Sequence, residues 1–115
     1  MATEDDLRAI ALALPGVEEK ATYGRRPSWK VAGRGFVGVW KDETSAVFMA
    51  EDRAEKEALL ATGPDKFFTT AHYGDSARLL VRLGEVTPDE LRPLVEESWR
   101  QVATPDLIAR LDGPT

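Results

Sequence analysis

Between positions 20 and 41 the chain carries six basic side chains: Lys20, Arg25, Arg26, Lys30, Arg34 and Lys41. No acidic residue interrupts them. The formal charge of the 115-residue chain is −5, so the residues outside this window carry −11. Clustered guanidinium and ammonium groups in an otherwise acidic protein suit phosphate binding, which supplies affinity and position without reading base sequence. The competing reading is a solvated, charged strand edge that discourages edge-to-edge association. Because the total charge opposes a polyanion at long range, nucleic-acid binding is expected to be modest and strongly salt-dependent. Trp29 and Trp40 lie in the same window, where each serves either as core or as a platform.

Other chemistries find little support. The chain has no cysteine and one histidine, His72. Thiolate chemistry, cysteine zinc sites and paired-histidine metal sites therefore have no residues to use. No Gly-x-Ser-x-Gly elbow accompanies His72. Gly33-Arg34-Gly35-Phe36-Val37-Gly38 has glycines at dinucleotide-loop offsets but reads as part of a hairpin, which presents no helix N-terminus to a phosphate. Asp5/Asp6 and Glu96/Glu97 are adjacent on helical segments, so their carboxylates diverge. Glu4, Asp5 and Asp6 read as complement to a helix dipole. Neither an enzyme nor a bound metal or cofactor is expected.

The elements that position the basic window follow from periodicity. Leu7, Ile10, Ala11 and Leu14 mark one face of a helix over Thr3 to Leu14, with Thr3 as N-cap and Pro15-Gly16 as its end. Val17 to Arg26 reads as an irregular connection. Ser28 to Ala32 alternates as a strand, with Trp29 and Val31 on one face and Ser28 and Lys30 on the other. Gly33-Arg34-Gly35 reads as a turn with Arg34 at its tip. A second strand follows over Phe36 to Lys41, with Phe36, Gly38 and Trp40 opposite Val37, Val39 and Lys41. A third covers Ser45 to Ala50. Asp52 to Ala61 reads as a surface helix, and Lys66 to Thr70 and Ala77 to Leu83 as two more strands. In the last of these Arg78 and Arg82 share a face.

Thr87, Pro88 and Glu90 specify a capped helix over Pro88 to Val102, with Leu91, Leu94, Val95, Ser98, Trp99 and Val102 as its buried stripe. Arg92, Glu96 and Arg100 line its outer face at ion-pair spacing. Thr104-Pro105 opens a short terminal helix. The pattern predicts one α+β domain over residues 1–115: a five-stranded antiparallel sheet with helices on one face and the other partly open.

Several segments resemble the MmcQ/YjbR family of small bacterial proteins. They are ALALPGVEE at 11–19, YGRRPSWKVAGRGF at 23–36, HYGD at 72–75 and VRLGEVTPDELRPLVEESW at 81–99. The resemblance implies a frataxin-like (CyaY-like) fold and DNA binding through a double-wing arrangement of hairpins. The chain departs from the family pattern at Ala77-Arg78, where members usually carry Gly-Trp; an aromatic is lost and a cation gained.

The expected DNA-contacting set is Arg25, Arg26, Lys30, Arg34 and Lys41, joined by Arg78 and Arg82, with weak sequence preference. The alternative is a non-enzymatic small-molecule or metal-binding module at the junction of sheet and loop. Its pocket would be formed by Trp29, Trp40, His72 and Tyr73, and a metal would draw on Glu4, Asp5 and Asp6. The N-terminus lacks signal-peptide features and no apolar run is long enough to span a bilayer. A monomeric cytoplasmic protein without membrane association is expected.

Overall fold

A computed structural model describes residues 1–21 and 26–113. Its helices are α1 (Glu4–Leu12), α2 (Arg53–Thr62), α3 (Pro88–Arg100) and α4 (Pro105–Asp112). The strands are β1 (Glu18–Ala21), β2 (Pro27–Val31), β3 (Arg34–Val39), β4 (Ser45–Met49), β5 (Phe67–Phe68) and β6 (Arg78–Arg82). They form one antiparallel sheet of order β1-β2-β3-β4-β6-β5. The fold is α+β as expected, but the sheet has six strands rather than five. The added strand is Glu18–Ala21, within the segment expected to be irregular. Its side chains are all exposed, so it has no burial pattern; it is a strand because its backbone pairs with β2.

Cross-strand register separates the two faces. Trp29, Val37, Phe48 and Leu79 lie in one row across four strands, and Val39, Ala46, Val81 and Phe67 in the next. All eight are buried and join Leu7, Ala11, Leu91, Val95 and Trp99 in the core. Helices α1 and α3 pack together on this side, with α3 against β3 and β4. The opposite row runs Lys20, Ser28, Gly38, Val47, Leu80 and Phe68. Arg78 and Arg82 share that second face. Val47 and Leu80 are buried there too, so its centre is apolar although its margins are charged.

Two details of the β2–β3 hairpin differ from expectation. The turn is Ala32-Gly33, both with positive φ (52° and 77°). A two-residue turn with both centres at positive φ matches the twist of the flanking strands. It places Arg34 at the start of β3 instead of at the tip. The register also shifts between Trp29 and Lys30, whose partners are Val37 and Gly35. Phe36 is the extra residue of this bulge, and it joins Val37 in the core. Strict alternation fails at this point because a bulge places two residues opposite one.

The bulge is fastened to α3. Fully buried Ser98 donates its hydroxyl hydrogen bond to the carbonyl of Phe36 and accepts one from the Met49 N–H at 2.9 Å. Both core tryptophans have their indole N–H groups satisfied as well. Trp99 donates to the Pro15 carbonyl at 3.1 Å, and Trp29 to Glu19 Oε1 at 3.0 Å. The same Glu19 oxygen accepts from Arg8 Nε at 2.9 Å, which ties β1 to α1.

The helix termini follow the expected chemistry. Thr3 and Asp6 form a capping box on α1, and Thr87 and Glu90 form one on α3. On α3 the spacing of charges is only partly used. Arg100 pairs with Glu96 and with Asp112 of α4, whereas Arg92 pairs with Asp89. Replacing Ser98 by Ala removes a donor and an acceptor from two buried backbone groups. We expect a loss of about 3 kcal/mol, read from the midpoint of urea unfolding.

Candidate nucleic-acid interface

The second sheet face carries a shallow groove of about 260 Å³. Its floor is the β2–β3–β4 surface at Ser28, Gly35, Gly38 and Val47; Arg26, Lys30 and Arg78 supply its charge, and Trp40 and Tyr73 its rings. Glu18 is the register partner of Lys30 on the outer strand, and among the described residues no carboxylate lines the groove itself. Gly38 keeps the floor low. A Cβ there would come within 3.2 Å of the Ser28 Cβ directly across the hairpin.

Two sets of residues that sequence reasoning kept apart therefore meet in one site. Three of the expected phosphate-contacting cations share it with Trp40 and Tyr73 of the expected ligand pocket. The other candidates lie elsewhere. Trp29 is no part of a pocket: it is 0% exposed and packs on the helix-covered face. Arg34 is exposed beside the hairpin turn. Lys41 lies over the Trp40 ring, 5.5 Å from its centroid. Arg82 stacks on Phe68 at 4.4 Å and donates to the carbonyls of Pro64 and Asp65, which engages it with the chain before β5. His72 is exposed next to Tyr73, with ring centroids 4.6 Å apart. Arg25 lies outside the described residues.

The acidic first turn of α1 is internally engaged. Glu4 and Asp5 bind Arg8 at 3.2 and 2.9 Å, and Asp6 completes the capping box. Among the described residues no group of three potential metal-ligating side chains converges.

Tyr73 is held in place by a residue that carried no signal in the sequence. Lys56 of α2 is only 4% exposed, and its ammonium donates to the carbonyls of Tyr73 at 2.6 Å and Ser76 at 2.8 Å. Ser76 donates its hydroxyl to the same Tyr73 carbonyl at 3.1 Å and accepts from the Arg78 N–H at 3.1 Å. One chain of hydrogen bonds thus joins α2 to the loop bearing Tyr73 and to the start of β6. The apolar environment holds the Lys56 ammonium below its ordinary pKa, and the neighbouring Arg53 charge adds to that; Asp75 and Glu57 act against it. A lysine on a short amphipathic helix ordinarily faces water, so pattern alone assigns Lys56 to the surface. The interaction of Trp40 with Tyr73, centroids 5.5 Å apart at 59°, completes the aromatic side of the groove.

The comparisons with known proteins agree with this fold. The YjbR family profile matches residues 12–101. The chain belongs to the YjbR family. It is similar, at 31% identity, to uncharacterized proteins of Mycobacterium tuberculosis and Mycobacterium bovis, the alignments covering 94% of this chain and 94% of each relative. The crystal structure of Deinococcus radiodurans protein DR2400, which carries a DUF419 domain, superposes with a TM-score of 0.77. That match covers 99% of this chain and 91% of the other at 23% identity, a likeness of fold. No described helix of this YjbR protein is long and apolar enough to cross a membrane.

Replacing Lys56 by Met keeps the aliphatic stem and removes the donor. We expect a loss of about 1–3 kcal/mol, because the Tyr73 and Ser76 carbonyls lose a charged partner. The pH dependence has a definite sign. As the alkaline range below 10.5 is entered, the folded protein releases the Lys56 proton before the unfolded chain does. The unfolded chain then binds more protons, so wild-type stability rises with pH relative to Lys56→Met. Urea unfolding of both proteins across that range measures the difference.

Proposed function

We propose that this YjbR protein binds DNA with little sequence preference, through phosphate contacts made by the second face of its sheet. The observation that carries the reading is the convergence of Arg26, Lys30 and Arg78 around one groove that, among the described residues, no carboxylate lines. These cations come from the segment before β2, from β2 and from β6, so the charge belongs to the folded face and not merely to a run of sequence. Lys20 stands on the same face in register with Ser28. The resemblance to MmcQ/YjbR proteins, with its implied frataxin-like fold and double-wing hairpins, supports the same reading. The β2–β3 hairpin would serve as one wing, with Arg34 next to its turn.

Weak selectivity follows from the shape of the face. A sheet that offers cations around a depression supplies phosphate contacts. Among the described residues that line the groove, none lies on a helix that could enter the major groove and read base edges. The alternative is a small anionic molecule held in the same groove. The placement of Trp40 and Tyr73 beside the cations favours it, since small-molecule sites combine apolar walls with a few fixed polar groups.

Salt dependence separates the two. Three phosphate contacts give a slope of log K against log salt of about −2.7 on duplex DNA. The double substitution Lys30→Gln/Arg78→Gln should bring the slope toward zero by about 2 and weaken binding at every sequence tested, with the urea midpoint close to wild type. Fluorescence anisotropy at several salt concentrations measures both quantities. No DNA binding at low salt, or binding that ignores the double substitution, would sink the reading and leave the small-molecule alternative.

A further inference from the structure

We infer that the groove takes an unstacked base of single-stranded DNA, with Trp40 and Tyr73 as its stacking surface and Arg26, Lys30 and Arg78 on the flanking phosphates. The inference rests on the phosphate-binding reading above and goes beyond it by choosing the form of the polymer.

The site is concave. The cations surround a depression, and the depression contains aromatic rings. A duplex is a convex cylinder whose bases show only their edges. It can lay phosphates against the rim but offers no base face to rings set in the side of a groove. A single strand can turn one base inward while its phosphates remain on the rim, and base–aromatic stacking needs no particular sequence.

The groove is also small. At about 260 Å³ the groove is smaller than the usual range of roughly 300–1,000 Å³ for sites that enclose a whole small-molecule ligand. It suits one flat ring system entering from an open side.

The three tryptophans differ in their surroundings. Trp29 and Trp99 are each fully buried, with the indole N–H bonded inside the protein. Trp40 is half-buried and lines the groove. His72, Tyr73, Trp40 and Lys41 form a continuous series of ring and cation contacts, with Lys41 over the Trp40 ring and His72 edge-on to Tyr73. The rings are thereby braced at a fixed angle before any ligand arrives, which reduces the ordering cost of stacking.

Tyr73 offers a second way to remove the stacking surface. Its backbone carbonyl, not its ring, accepts from Lys56 and Ser76. Tyr73→Leu therefore takes away the ring and keeps the hydrogen bonds that position the loop.

The test compares an oligothymidylate of about 15 nucleotides, long enough for one such site, with a duplex of the same length. Both are followed by anisotropy at low salt and by quenching of intrinsic tryptophan fluorescence. We expect the single strand to bind more tightly and to quench Trp40. Trp40→Ala and Tyr73→Leu should each weaken single-strand binding by roughly 5- to 100-fold and duplex binding by much less, both variants melting cooperatively. If both DNA forms bind equally and neither substitution matters, while Lys30→Gln/Arg78→Gln still weakens them, the base-stacking inference is overturned and the phosphate reading stands. If neither form binds at low salt, both fall. Tyr73→Leu keeps the test decisive should Trp40→Ala unfold.

Discussion

Helices α1 and α3 cover one side of the sheet, and the side chain that fastens α3 to it is Ser98. Its buried hydroxyl donates to the Phe36 carbonyl and accepts from the Met49 N–H, so α3 is bolted across β3 and β4 at the point where the β2–β3 pairing is irregular. A buried backbone group without a partner costs about 1–3 kcal/mol. The bulge at Phe36 is therefore sustained because a helix side chain serves it. The bulge in turn carries Phe36 into the core beside Val37, while Gly35 and Gly38 remain on the far face. The packing of α3 and the low floor of the groove are two consequences of one local arrangement.

Charge follows from the same one-sidedness. With α1 and α3 on the first face, a cation on β2 or β6 can keep its hydration only by facing the other way. Ion pairing reinforces the division. Arg8, Lys66, Arg92 and Arg100 each bind a nearby carboxylate on the helical side or at its margin. Lys30 and Arg78 face a surface lined by glycine, serine, valine and aromatic rings. An acidic protein thus presents a locally basic surface without a generally attractive field, which favours short-range contacts over long-range steering.

Much of the fold was legible in the sequence because its signals are local. Thr87, Pro88 and Glu90 announced α3, and the alternation of Trp29 and Val31 against Ser28 and Lys30 gave the faces of β2 correctly. What escaped was what depends on partners distant in the chain. Glu18–Ala21 has no strand-like composition and exists as β1 by pairing with β2. The bulge at Phe36 reads as ordinary alternation until Ser98 is placed beneath it. The Ala32-Gly33 turn was displaced by the more obvious pair of glycines around Arg34. The groove was half legible: its cations and its aromatic residues were each singled out, but their meeting depends on β4 bringing β6 alongside the first hairpin. Lys56 was invisible, since nothing in its neighbours reveals that α2 aims it at the Tyr73 carbonyl.

The central claim is that ligand contact belongs to the sheet face opposite the helices. Backbone amide chemical shifts of labelled protein titrated with an unlabelled oligonucleotide test it most directly, because they report every residue at once and need no substitution. The account predicts that the changes concentrate at Ser28, Lys30, Gly35, Gly38, Trp40 and Arg78, with the exposed faces of α1, α3 and α4 unaffected. Changes centred on those helices, with the groove residues silent, would contradict it.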